Sequence, residues 1–513
     1  MKRERASHLY KSITGGICYL IFNFLINSNV AAHEPAPVLT HHQISIGKQK
    51  LKYSAEVGRL PIRDDATGEA HAYMFYTAYR LKTDSETPRP LLFLWGGGPG
   101  GWSLNMNFEF AGPVRSKTIY GPGGGELVPN EDTLLSVADL VFVDQIGTGY
   151  SRATKTEYIE EFQSTINDTR SFAEFIRLWR VRHRLEETRI FIGGISWGAP
   201  RAATVSYSLL EKGLPLAGAV LITGETSLNS RSKYISDIEF EALRVIGMSE
   251  VAFFHSKTDT KADHGLREIK RAAREWVYKI YIPALENISS LTLSEKQNIA
   301  AQLAGFTGIS QEKINLQTLV ILPSEFRKYL LDDGKVLYGS DTRRTERYKT
   351  TYVNAALNSI KSDLGYISDL NYRQIGERLI GYYTGEQPKS PMQFPWDYAT
   401  SPVPKEEADR LIANAIARGA GPPTIGTPLS GTEEAIGLNP DLKVLVVIAR
   451  FDGESTCESN LALQDKLPGT LSKAMTIKCY NAGHSPWRTP SVRKEVSDDV
   501  KKMLLEATGV IKK

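Results

Sequence analysis

The pentapeptide Gly194-Ile195-Ser196-Trp197-Gly198 fits the pattern G-x-S-x-G. A serine hydroxyl is a poor nucleophile unless it is held exposed beside a base. A sharp strand-to-helix turn with flanking glycines does that holding. By itself the pattern arises by chance in about one chain in five of this length at average composition, so its surroundings matter. His484, in Asn481-Ala482-Gly483-His484, is the only histidine after His264. It follows the alternating run Met475 to Tyr480, where a loop at a strand end could carry a base to the serine. A lone histidine is more often structural. Asp452 lies just past the most apolar run, Val444 to Ile448, and is the acid best placed to orient that base. Glu454, Glu458 and Asp465 are rivals further along, and an ordinary loop carboxylate is the plain alternative. The glycine run Gly96-Gly97-Gly98-Pro99-Gly100-Gly101 lets backbone N–H groups approach a developing oxyanion closely. No Gly-Lys-Ser/Thr follows it, so it is not a phosphate loop.

These residues need a scaffold. Short apolar runs at Leu91 to Trp95, Leu140 to Val143, Ile190 to Ile192, Ala219 to Ile222 and Val444 to Ile448 read as strands. Their near-continuous hydrophobicity predicts a mostly parallel sheet covered on both faces. Phe172, Phe175, Ile176 and Trp179 recur at helical spacing before the third run, and Arg201 to Leu210 reads as a helix after Ser196. Ser196 thus sits between a strand and a helix, as the motif requires. From about 228 to 435 helix-like segments dominate, and the Gly/Pro-rich stretch Gly419 to Gly431 reads as a return linker. The predicted fold class is α/β, a β/α core over 33–227 and 436–513 with a helical cap insertion over 228–435.

The 513 residues are 41% apolar and 23% charged, with a net charge of +4, as expected of a globular chain with no nucleic-acid partner. Lys2, Arg3, Arg5 and Lys11 precede an apolar run from Ile17 to Ile26, and Val30-Ala31-Ala32 offers small residues for cleavage. Residues 1–32 therefore read as a secretory signal, with an uncleaved anchor as the alternative, and the product as exported, periplasmic or secreted, without stable membrane association. Cys18 would leave with the signal. Cys457 and Cys479 remain as a candidate disulfide. Two distant cysteines and few histidines make no metal site.

The order Ser196, Asp452, His484 is that of the α/β-hydrolases. Over most of residues 85 to 490 the chain resembles the serine carboxypeptidases. Gly97-Gly98-Pro99-Gly100 matches that family's glycine loop, and Asp144-Gln145-Ile146-Gly147-Thr148-Gly149-Tyr150-Ser151 is similar to a second segment. Thr307-Gly308-Ile309-Ser310 and Ser340-Asp341-Thr342-Arg343 resemble bacterial members. The resemblance implies a capped α/β-hydrolase core, no metal or organic cofactor, and oxyanion donors at the N–H groups of Gly98 and Trp197. It also implies substrate contacts at Gly97 and Glu109. Two positions depart: Gly96 stands where the family usually has Asn, and Ile195 where it has Glu. With a further Glu, matched by Glu109, those residues grip the substrate's free carboxylate. Their loss predicts a weaker preference for acidic pH, with a rate rising through about pH 6 to 7 as His484 loses its proton. Peptide hydrolysis leads. Ester hydrolysis or acyl transfer on the same triad, and a non-catalytic binding protein on a hydrolase scaffold, are the alternatives.

Overall fold

A computed structural model of the chain describes residues 36–85, 88–117, 125–228, 231–258, 265–332, 334–346, 352–373, 396–397, 410 and 431–509. Residues 1–32, with the predicted signal, and nearly all of the predicted return linker, Gly419 to Gly431, lie outside the described residues.

The fold is that of an α/β-hydrolase. Nine strands follow in the sheet order β1-β2-β3-β5-β4-β6-β7-β8-β9, and Arg152–Ala153 pairs with β3 off that path. The strands are β1 Val38–Ile46, β2 Gln49–Arg63, β3 Ala70–Leu81, β4 Leu91–Trp95, β5 Asp139–Val143, β6 Ile190–Ile195, β7 Leu216–Ile222, β8 Lys443–Ala449 and β9 Met475–Tyr480. From β5 to β9 all pairings are parallel. The first three strands extend the sheet antiparallel.

The parallel strands are apolar on both faces because both faces are covered. In β4, Leu91, Phe93 and Trp95 join one core cluster, and Leu92 and Leu94 join the other. In β8, Val444, Val446 and Ile448 divide from Leu445 and Val447 in the same way. Each such side chain contributes about 1.5–3 kcal/mol on burial, which explains continuous apolar runs where alternation would suffice for a one-sided sheet.

Helix α1, Thr165–His183, starts at Ser164, whose Oγ accepts the Asn167 N–H at 3.2 Å. It buries Phe172, Phe175, Ile176 and Trp179. Helix α2, Gly198–Glu211, follows β6 directly. Between β7 and β8 the labelled helices are α3 Arg244–Phe254, α4 Leu266–Trp276, α5 Leu293–Thr307, α6 Pro323–Tyr329 and α7 Tyr352–Ser362. The buried faces of α3 to α6, including Ile246, Val251 and Leu303, join the cluster on one face of the sheet, whereas α7 buries Tyr352, Ala356 and Ile360 in the other cluster. Helix α8, Cys457–Lys466, and helix α9, Pro490–Thr508, flank β9 in sequence.

Cys457 and Cys479 form a disulfide with Cα atoms 5.7 Å apart. It joins the first residue of α8 to β9 across a sequence separation of 22. Closing a loop of that size stabilises the folded chain by about 3 kcal/mol through the unfolded state. Thermal melts of the Cys457→Ser/Cys479→Ser variant should show a Tm several degrees below wild type. A melt unchanged by the substitution would show that the bridge adds no net stability.

Candidate active site

Ser196 occupies the turn between β6 and α2 at φ +57°, a left-handed conformation that a residue with a side chain rarely adopts. Such a residue costs about 1–3 kcal/mol and persists only where its surroundings fix it. Here its N–H donates to Ile222 O at 2.8 Å, and its carbonyl accepts the Ala199 N–H at 2.9 Å. Ser196 itself is half-buried and keeps access to solvent.

The glycine loop after β4 lies against this elbow. A Cβ on Gly97 would stand 2.5 Å from Ile195 O, 2.7 Å from Ser196 Cβ and 3.2 Å from Trp197 N, so only glycine allows that approach. Trp95 Nε1 donates to Gly198 O at 2.8 Å and ties the end of β4 to the start of α2. Gly98 has φ +114°. Arg201, one turn into α2, reaches back under the loop. Its Nη1 donates to Gly96 O at 2.9 Å, its Nη2 to Gln145 Oε1 at 2.6 Å and its Nε to Asp168 Oδ2 at 2.5 Å. Gln145 Oε1 also accepts the Gly100 N–H at 2.8 Å. Asp144 accepts the Ser103 N–H and Oγ–H at 2.7 and 2.8 Å and the Tyr372 hydroxyl at 2.8 Å. Burial pushes the Asp144 carboxyl above its usual range, against the pull of those hydrogen bonds.

His484 and Asp452 meet beyond the ends of β9 and β8, with Nδ1 and Oδ2 2.8 Å apart. Asp452 is 5% exposed. Two of the three rival acids are held by cations: Glu454 by Arg327, and Glu458 by Lys270, Arg274 and Arg450. Burial alone would lower the His484 pKa. The charge and hydrogen bond of Asp452 outweigh it and leave the imidazole above its ordinary value. Thr223 links the histidine to the elbow: its Oγ1 donates to His484 O at 2.9 Å, and its neighbour Ile222 accepts the Ser196 N–H. Ser196 and His484 are thus both fastened to the C-terminal end of β7.

Residues 48–370, more than half of the chain, match the serine carboxypeptidase family. The chain belongs to that family. A stretch of 132 residues is 27% identical to the pheromone-processing carboxypeptidase KEX1 of Saccharomyces cerevisiae. That match covers 23% of this chain and 17% of the yeast protein's length. Solved structures aligned with the chain include juvenile hormone epoxide hydrolase from the silkworm Bombyx mori, at 12% identity and a TM-score of 0.33 over 89% of this chain and 80% of the other. A carboxylesterase structure from the thaumarchaeon Nitrososphaera gargenis aligns at 9% identity and a TM-score of 0.34, covering 88% and 100%.

Within this serine carboxypeptidase-family chain, Glu109 is 1% exposed and its oxygens are engaged. Arg488 Nε donates to Oε2 at 2.8 Å and Nη2 to Oε1 at 3.1 Å, and Trp487 Nε1 donates to Oε2 at 3.1 Å. Trp487 stacks on Phe110, ring centroids 4.9 Å apart. Ile195 is buried, and a Cβ at position 96 would lie 2.1 Å from Trp102 O, leaving no room for a side chain.

Sequence reasoning missed Arg201 and Arg488. Arg201 interrupts the otherwise small and apolar start of α2, which is the one signal it offered. Arg488 lies four residues after His484, and nothing in its local sequence marks it.

Proposed function

We propose that the chain hydrolyses peptides as a serine carboxypeptidase-like enzyme, with Ser196 as nucleophile, His484 as base and Asp452 as the acid that orients it. The observation that carries this reading is the His484–Asp452 hydrogen bond, fastened through Thr223 beside the strained Ser196 elbow. Ser196 Oγ attacks the scissile carbonyl carbon while its proton passes to His484 Nε2. The resulting oxyanion is held by the N–H groups of Gly98 and Trp197. Collapse breaks the C–N bond, and His484 gives its proton to the leaving amine. Water then attacks the acyl-enzyme by the same route and releases Ser196.

The base works only as neutral imidazole. Because Asp452 raises the His484 pKa, kcat/KM should fall as pH drops through a midpoint above the ordinary histidine value of about 6.5. A pH–rate profile with an optimum near pH 5, about 1.5 units below that value, would overturn this assignment.

A second reading keeps the triad and changes the substrate to an ester or an acyl donor for a small alcohol. It is favoured by the engagement of Glu109 with Arg488 and by the absence of donor side chains at Gly96 and Ile195. A carboxylate site needs donors, and the three positions expected to supply them offer none of their own. Comparing a blocked dipeptide with a free C-terminal carboxylate, its amide and its ester separates the two readings. Preference for the free acid supports the carboxypeptidase. Preference for the ester supports the second reading.

The proposal includes export, with residues 1–32 as the signal. The Cys457–Cys479 bridge supports it, because disulfides persist in oxidising compartments. The same proposal takes the helical 228–435 insertion as a cap on the core. No helix among the described residues is long and apolar enough to cross a membrane.

A further inference from the structure

The segment Gly339–Arg344 belongs to the helical insertion, yet it is bonded to both loops that carry the histidine–aspartate pair. Direct backbone pairing between those loops ends at Phe451 N–H to Ala482 O, 3.0 Å. The residues that follow are reached from the insertion. Gly339 O accepts the Gly453 N–H at 2.8 Å. Phe451 O accepts the Thr342 N–H at 2.8 Å and the Thr342 Oγ1–H at 3.0 Å. Ser340 O accepts the His484 N–H at 2.7 Å. The two residues flanking Asp452, and His484 itself, are therefore held by one strap.

Side chains reinforce it. Asp341 is 2% exposed, and its carboxylate accepts Arg343 Nε at 2.8 Å and Nη2 at 2.7 Å. Asp341 packs against Gly483: a Cβ there would stand 2.8 Å from both Asp341 Cβ and Cγ. The Arg343 guanidinium lies 4.8 Å over the Phe451 ring. One member of the ion pair thus abuts the residue before His484, and the other abuts the residue before Asp452. His255, just beyond α3, contacts Thr342 O at 2.8 Å through Nε2. Arg327, on α6, donates to Gly453 O at 3.2 Å.

A buried ion pair gives little net stability over apolar packing, because desolvation offsets its attraction. What it supplies is fixed direction. A hydrogen bond weakens steeply with misalignment, and displacement by about 1 Å costs about 100-fold in rate. We infer that Gly339–Arg344 is a positioning clasp: Asp341, Thr342 and Arg343 set the distance between the Asp452 and His484 loops, and so couple the helical insertion to the acid–base pair. The inference rests on the roles proposed for Asp452 and His484. Asp341, Thr342 and Arg343 are positioning residues, not catalytic ones.

The charged groups that bear on the imidazole are Asp452 and Glu454 from one loop and Arg488 from the turn beyond His484. Glu225, after β7, and Arg244, on α3, lie on the Asp452 side. Loosening the clasp weakens the Asp452 contribution and leaves burial and Arg488, which lower the His484 pKa, against the smaller opposing pull of Glu454.

The test uses the full chain with Thr342→Val, which removes the Oγ1 bond and keeps the shape, and Thr342→Ser, which restores it. Asp341→Asn forms a third arm. The readouts are kcat and KM, the pH midpoint, the Tm, and the downfield Nδ1 proton of His484 in the NMR spectrum, assigned by its loss in His484→Asn. Thr342→Val and Asp341→Asn should lower kcat about 10- to 100-fold with KM unchanged. They should move the midpoint to lower pH and weaken the downfield signal, and Thr342→Ser should restore all three. Variants that keep kcat, midpoint and proton signal would overturn the clasp. So would a loss of kcat that only follows Tm, with no shift in midpoint. If wild type shows no Ser196-dependent labelling by a fluorophosphonate, the proposed function fails. The NMR signal then still decides the clasp by itself.

Discussion

Ser196→Ala will abolish labelling by a fluorophosphonate and lower kcat/KM by about four to six orders of magnitude. The size follows from what remains. Without the hydroxyl there is no acyl-enzyme, and His484 and Asp452 have no nucleophile to serve. The glycine loop can still polarise a bound carbonyl toward water, which leaves a small residual rate. The substitution deletes one atom from a half-buried position and leaves the Ser196 backbone bonds to Ile222 and Ala199 in place. The variant should therefore melt within a few degrees of wild type, and any loss of rate is chemical. A variant that retains labelling would move the nucleophile elsewhere. Adding His484→Asn to Ser196→Ala should cost little more, because residues that act as a unit lose their effect together.

Asp452→Asn should lower kcat by about four orders of magnitude. Nδ1 of His484 lies 2.8 Å from Oδ2 of Asp452. An amide nitrogen at that place would favour the tautomer with its proton on Nε2, the nitrogen that must accept from the serine. The Asp452 charge that raises the imidazole pKa would vanish too, leaving burial and Arg488 to depress it against the smaller pull of Glu454. The acid limb of the rate profile should therefore shift to lower pH even as the maximum rate collapses. A variant with a small loss, or with an unmoved limb, would show that another group orients His484. Glu454 and Glu458 are poor candidates, since Arg327 holds the first and Lys270, Arg274 and Arg450 hold the second.

The parallel half of the sheet was legible in the sequence, and the antiparallel half was not. Leu91–Trp95 and Lys443–Ala449 are buried on both faces, so their composition is nearly all apolar. In β2, Leu51, Tyr53, Ala55 and Val57 alternate with Lys50, Lys52, Ser54 and Glu56, and the strand is half-exposed. A search for continuous apolar runs selects the first kind and passes over the second.

For the site, chain order and local chemistry already pointed to Ser196, Asp452 and His484. A nucleophile elbow is a local structure: strand, strained turn and helix are contiguous, so the sequence determines it. The two strand-end loops are local as well. The sequence also supplied two cysteines of the right number and setting, but their bridging depended on a Cα separation of 5.7 Å that only the folded chain has. Glu109 shows the same division. The family resemblance implied a substrate contact for it, and the folded chain adds what the sequence did not show: its oxygens accept from Arg488 and Trp487, some 380 residues away in the chain. The clasp likewise joins Gly339–Arg344 to loops more than 100 residues further on. Hydrophobic pattern and turn chemistry act over a few residues, and the sequence records them directly. Which buried charge meets which, and which loop braces which, depends on long-range packing, and only the tertiary structure decided it.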